Sequence, residues 1–219
     1  MKKTFIIANW KSNKTGLEAN SWLQAISNFQ FPIFNKEIII CPPFTLFSEV
    51  GSGIKHYDLG FKLGAQDISQ FDGGAYTGEI NGKQIKEFAE FVLIGHSERR
   101  KNFLESDEML FKKVELAKQY GLIPIFCVQG KDTKVPKDVK IAAYEPIDAI
   151  GTGHPDIPEN AEDVASFFKK DYDVTHVLYG GSVTSKNVKE FTQMPNIDGV
   201  LIGGASLDAQ EFYTIIQNA

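Results

Sequence analysis

Apolar positions along this chain follow two alternating rhythms. Short runs rich in Ile, Val, Leu and Phe, with the length of buried strands, occupy residues 4–9, 37–41, 59–66, 91–95, 122–128, 139–145, 175–179 and 199–202. Most are separated by segments with apolar residues at helical spacing: 16–28, 45–54, 83–89, 106–120, 159–170 and 185–191, with 209–217 closing the chain. In 106–120, Leu110, Val114 and Ala117 lie at helical spacing, with Lys112, Lys113 and Lys118 interleaved. Strands separated by single helices imply right-handed crossovers and a parallel sheet. Eight such units close into an α/β (β/α)8 barrel, which gathers its chemistry at the C-terminal strand ends. No break in composition marks a second domain, so residues 1–219 are expected to form one.

One unit departs from the pattern. Only residues 129–138 separate the fifth strand from the sixth, and they include Gly130, Lys131, Asp132, Pro136 and Lys137. A crossover with its helix needs at least about 10–12 residues. A shortened connection with at most a helical stub is therefore expected between strands five and six.

Composition narrows the function classes. With 42% apolar and 23% charged residues, the chain has the balance of a soluble globular protein. A net charge of −5, with no basic cluster longer than Arg99-Arg100-Lys101, argues against a nucleic-acid partner. Met1-Lys2-Lys3 runs into an apolar stretch too short for a secretory leader, and no run approaches the roughly 20 residues that cross a bilayer. Cys41 and Cys127 both lie in strand-like runs, as buried free thiols of a reducing cytoplasm would. No Cys/His spacing resembles a metal site.

Polar residues at the strand ends carry the candidate chemistry. By the period of two, Phe5, Ile7, Asn9 and Lys11 share one strand face, so Asn9 and Lys11 are expected to point into the barrel mouth. A Lys after a strand is usually just solvated. His96 follows the fourth strand where a helical turn can begin, which favours a neutral imidazole that donates to a carbonyl oxygen. A core histidine satisfied by backbone is the plainer alternative. Glu145 ends the sixth strand, and Pro146 disfavours the helical region for it. It reads as a general base followed by a glycine-rich lid, Ile150-Gly151-Thr152-Gly153, or as an ordinary strand-to-loop junction. Further turns, Gly180-Gly181-Ser182 and Gly203-Gly204, follow the last two strands, where such barrels often bind phosphate through backbone N–H groups.

Together, Asn9-Trp10-Lys11, Gly64-Ala65-Gln66-Asp67, Ala75-Tyr76-Thr77-Gly78-Glu79, Gly95 to Arg100, Tyr144-Glu145-Pro146, Ala149 to Gly153, Tyr179 to Ser182 and Gly203 to Leu207 resemble the triosephosphate isomerase family in order and spacing. The resemblance implies a TIM barrel. It also implies interconversion of dihydroxyacetone phosphate and glyceraldehyde 3-phosphate through an enediolate, without cofactor or metal. It assigns Glu145 as base, His96 as neutral electrophile, Lys11 as substrate-binding cation and Asn9 as holder of substrate and oxyanion. Gly151, Ser182, Gly203 and Gly204 match phosphate-gripping positions, and Ile150 and Leu201 the apolar cage around the base. Ser97, Glu98 and Cys127 match supporting positions. Gln66, Tyr76 and Thr77 match the interface of a homo-oligomer.

Departures accompany the resemblance. Asp148 stands at the lid's first hinge, where the family commonly has tryptophan. Gln129-Gly130 and a short connection replace a glycine, a glutamate and a long helical region. That shortening resembles compact tetrameric members, whereas the third loop looks like the dimer-forming version. Rival readings are another phosphate-binding barrel enzyme or a non-catalytic relative. The conjunction of Asn9, Lys11, His96 and Glu145 counts against both.

Overall fold

The computed structural model of the chain describes residues 3–31, 34–149 and 155–219, with Asp148 described in its backbone only. Eight parallel strands close into a barrel in sequence order: β1 (Thr4–Asn9), β2 (Lys36–Cys41), β3 (Lys62–Ala65), β4 (Phe91–Ile94), β5 (Ile123–Val128), β6 (Ile141–Tyr144), β7 (His176–Tyr179) and β8 (Ile197–Ile202). β8 closes on β1, with Phe5 opposite Gly199 and Ala8 opposite Ile202. Gly199 has φ 154°, and a Cβ there would lie 2.0 Å from the Phe5 carbonyl oxygen, so only glycine lets the seam close.

The helices are α1 (Gly16–Ile26), α2 (Phe47–His56), α3 (Gly82–Lys86), α4 (Ser97–Asn102), α5 (Asp107–Gln119), α6 (Pro158–Asp171), α7 (Val188–Thr192) and α8 (Ala209–Asn218). Their starts are written in side chains. Thr15 and Asn81 form capping boxes with Glu18 and Gln84, while Ser106 and Asp208 accept from the N–H groups of Met109 and Glu211. Each such cap is worth about 1 kcal/mol. α1 buries Ala19, Trp22, Leu23 and Ile26 against the barrel; the three large side chains contribute about 2 kcal/mol each.

The pleat divides the core. Phe5, Ile7, Ile39, Cys41, Leu93, Ile125, Cys127, Ala143, Leu178 and Leu201 fill the inside of the barrel. Their strand neighbours, such as Ile6, Ala8, Ile40, Val92 and Phe126, face the helices. Residues 129–140 make turns and no helix, as the short connection required.

One expectation needs correcting. β3 starts at Lys62 rather than 59, because Asp58 (φ 50°) and Gly60 (φ 68°) turn the chain through left-handed conformations first. Lys113, interleaved with the apolar positions of α5, is itself buried. It is 3% exposed, and its ammonium sits 2.7 Å from Asp67 Oδ1 and 2.5 Å from Glu105 Oε1. Arg99 joins the same carboxylates at 2.9 Å and 2.7 Å. This ionic cluster fastens α4 to α5, and α4 directly follows His96.

Candidate active site

The strand ends deliver their polar residues to one place. Asn9 is the last residue of β1, His96 follows β4 by two residues, and Glu145 directly follows β6. With Lys11 and Leu201, they line a cavity of about 240 Å³ whose other walls include Gly180, Ser182, Val183, Thr184, Gly203, Gly204 and Ala205. Asn9, His96 and Glu145 are buried at 5%, 6% and 1% exposure, polar groups where a protein otherwise places apolar ones.

The imidazole orientation follows from its partners. His96 caps α4, and its Nδ1 accepts the Glu98 backbone N–H at 3.2 Å. A ring nitrogen that accepts carries no proton, so the neutral ring has its proton on Nε2. Nε2 lies 3.0 Å from Glu145 Oε1. The other carboxylate oxygen, Oε2, accepts the Ser97 N–H at 2.8 Å. The His96 Nε2–H and the Glu145 carboxylate thus face each other at hydrogen-bond distance in the cavity wall. Beneath them, burial pushes the Cys127 thiol well above its usual range, and the Glu145 carboxylate beside it adds to the shift.

Lys11 reaches the cavity by a different route from the one its spacing suggested. β1 ends at Asn9, and Lys11 sits beyond it at φ 53°, a left-handed conformation that costs a non-glycine residue about 1–2 kcal/mol. Three hydrogen bonds hold that turn. The Lys11 N–H donates to Asn9 Oδ1 at 3.0 Å, and the Gln66 amide donates to the carbonyls of Lys11 (2.8 Å) and Cys41 (2.9 Å). The Lys11 ammonium then pairs with Glu98 at 2.5 Å. Gln66, expected at an interface, here clamps the Lys11 turn.

Ser182 lines the cavity at φ 46°, but its hydroxyl donates to the Ala149 carbonyl at 2.6 Å. The Tyr179 hydroxyl accepts the Asp156 N–H at 2.8 Å, so β7 and the turn after it hold both Ala149 and Asp156. Ile150 and Gly151, as well as the Asp148 side chain, lie outside the described residues. Tyr76 and Thr77 are exposed, far along the loop after β3 from Gln66. Sequence reasoning named the turn at Gly180 but missed Val183 and Thr184 as cavity walls. Their position after β7 was the available signal.

The family model described as triosephosphate isomerase matches residues 4–139 and 131–219. The chain belongs to the triosephosphate isomerase family. It is similar to the triosephosphate isomerase of Dictyoglomus thermophilum, 40% identical with all of both chains covered. It is also similar to that of Mesomycoplasma hyopneumoniae (40% identical, 99% of this chain and 100% of the other) and that of Aquifex aeolicus (38% identical, 98% of each). The Dictyoglomus alignment spans 251 positions against 219 residues here, so this member of the triosephosphate isomerase family is shorter than its relative. The two matched stretches meet at 131–139, within the connection that has no helix.

Proposed function

We propose that the chain interconverts dihydroxyacetone phosphate and D-glyceraldehyde 3-phosphate by proton transfer through an enediolate. The observation that carries this reading is the convergence of Asn9, Lys11, His96 and Glu145 on one cavity walled by the glycine turns after β7 and β8. Substrate enters between Glu145 and His96, and its carbonyl oxygen takes the Nε2 proton donor that faces Glu145 Oε1 in the free protein. Glu145 removes a proton from the carbon next to that carbonyl and returns it to the neighbouring carbon. His96 shuttles the hydroxyl proton between the two oxygens, and Lys11 and Asn9 stabilise the charge that develops there. Backbone N–H groups near Ser182, Gly203 and Gly204, together with Gly151, hold the phosphate. Leu201 and Ile150 keep the base dry, and Cys127 supports it from below. This activity belongs to glycolysis and gluconeogenesis in the cytoplasm. Among the described residues, no helix is long and apolar enough to cross a membrane.

We further propose a homodimer, with a tetramer as the alternative assembly. The loop after β3 supports this: Phe71 and Tyr76 stack at 3.9 Å while 37% and 43% exposed, a rigid apolar tip next to Thr77. Light scattering across a dilution series distinguishes the assemblies, and a fully active monomer refutes both.

A coupled assay with glyceraldehyde 3-phosphate on wild type and Glu145→Gln tests the chemistry. The amide has the shape of the acid but accepts no proton. Loss of the base lowers kcat by about 10²–10⁴-fold with the fold intact. Equal rates in the two proteins refute the assignment.

A further inference from the structure

Resting on the isomerase reading above, we propose that Lys14 is a positioning residue that straps the Lys11 turn to the phosphate turn after β8. Lys14 lies outside the cavity and touches no substrate in that reading. Its backbone is the first clue: φ is 70°, a left-handed conformation for a residue with a long side chain. Such strain persists only where the surroundings hold it, and it clusters at functional sites.

The Lys14 ammonium donates to the Leu207 carbonyl at 2.9 Å, a link between positions 193 residues apart. On the way it passes over the Trp10 ring at 5.3 Å. Trp10 is fully buried, directly precedes Lys11, and packs edge-on against Trp22 at 5.0 Å. Partial burial lowers the Lys14 ammonium below its usual range, while Glu18 and Asp208 nearby oppose that shift.

The far end of the strap is one turn from the phosphate grip. Leu207 ends the 3₁₀ turn Gly204–Leu207, and Gly203 precedes it. Ser206 donates its hydroxyl back to the Gly203 carbonyl at 2.7 Å, and its own carbonyl accepts Trp22 Nε1 at 3.1 Å. Gly203 in turn lies against the Lys11 stem: a Cβ on it would meet Lys11 Cε at 3.3 Å. Residues 11–14 therefore meet the β8 turn twice, through Lys11 inside the cavity and Lys14 outside it. The strap fixes the distance between the cation that meets the reacting end of the substrate and the backbone that holds its phosphate.

The experiment compares wild type with Lys14→Met, Lys14→Gly and Lys14→Arg. It measures kcat and KM for glyceraldehyde 3-phosphate, the inhibition constant of inorganic phosphate, proton exchange of phosphate-free glyceraldehyde in D2O, and thermal stability. Removing the strap in Lys14→Met or Lys14→Gly weakens inorganic phosphate and raises KM by about tenfold, while exchange of the phosphate-free aldehyde stays within about twofold. Lys14→Arg keeps the donor and charge and restores KM. Lys14→Gly also relieves the left-handed strain, so its melting temperature equals or exceeds that of wild type, which separates this role from a purely structural one.

Phosphate affinity and KM within about twofold of wild type in both variants overturn the proposal, as does equal loss for both aldehydes. Wild type with no isomerase activity overturns the isomerase reading and the strap with it. An active wild type matched by its Lys14 variants overturns the strap alone.

Discussion

Replacing Gly180 with alanine adds one methyl group behind the carboxylate read as the base. The Gly180 N–H donates to the Tyr144 carbonyl at 2.7 Å, which continues the β6–β7 pairing past the end of β7. A Cβ there would meet the Tyr144 oxygen and Glu145 Cγ at 3.2 Å each, and Leu201 Cβ at 3.6 Å. The Tyr144 oxygen is held by the backbone bond and Leu201 by the barrel interior, so Glu145 Cγ must yield. A shift of about 0.3–0.5 Å restores an ordinary contact. Misplacing a catalytic group by about 1 Å costs about 10²-fold, so this shift lowers kcat by roughly 4–10-fold, or about 1 kcal/mol of barrier. Overpacking removes about 1–3 kcal/mol of stability. Steady-state kinetics in the coupled assay, paired with urea unfolding, measure both. A kcat within about twofold of wild type despite lost stability means that the backbone absorbs the methyl group, and the steric argument fails. A raised KM with unchanged kcat puts Gly180 on the substrate side instead.

Gly204→Ala gives a contrasting result. A Cβ there would meet no atom within 4 Å, and Gly204 is part of the cavity wall, so the added methyl group crowds the ligand and not the protein. KM rises while kcat and stability hold, which kinetics and urea unfolding check. Burial pushes the Asp67 carboxyl up to about 6 from 3.8, with Glu105 adding to the shift and Lys113 and Arg99 opposing it. Because the folded value is the higher one, the contribution is present in full below about pH 4 and is lost as pH rises through about 6. Relative to Asp67→Asn, wild type therefore loses about 2 kcal/mol between pH 4 and 7, and chemical denaturation across that range measures it. Burial also raises the Cys41 and Cys127 thiols, so neither reacts with a thiol reagent at pH 8 until the protein unfolds; a fast native-state reaction contradicts this.

The fold was legible because burial on both faces of each strand writes uninterrupted apolar runs, while the helices write a period near 3.6. What failed to show was anything decided by a distant partner. The eighth strand was expected over 199–202, yet Asp198 also lies within β8, 4% exposed, accepting the Val177 N–H at 2.9 Å and pairing with Lys169 at 2.7 Å. The burial of Lys113 leaves no mark in the helical pattern, because its partners Asp67 and Glu105 come from outside its own helix. Lys11 was rightly placed in the cavity for an incomplete reason, since no strand period contains a left-handed turn. The positioning by Gln66 and Lys14 was invisible, because a Lys or Gln in a sequence declares neither its backbone angle nor which carbonyl it will find.

The missing helix between β5 and β6 bears on how the barrel assembles. Residues 129–140 join those strands, against 95–122 for β4 and β5. Chain entropy makes each doubling of a loop cost about 0.6 kcal/mol more to close, so this pair closes for roughly 0.7 kcal/mol less than its neighbour. We therefore predict that β5 and β6 register first and that the remaining strands add outward until β8 meets β1. Conservative core substitutions at Ile125 and Ala142 should then slow folding, whereas those at the β1–β8 seam mainly speed unfolding.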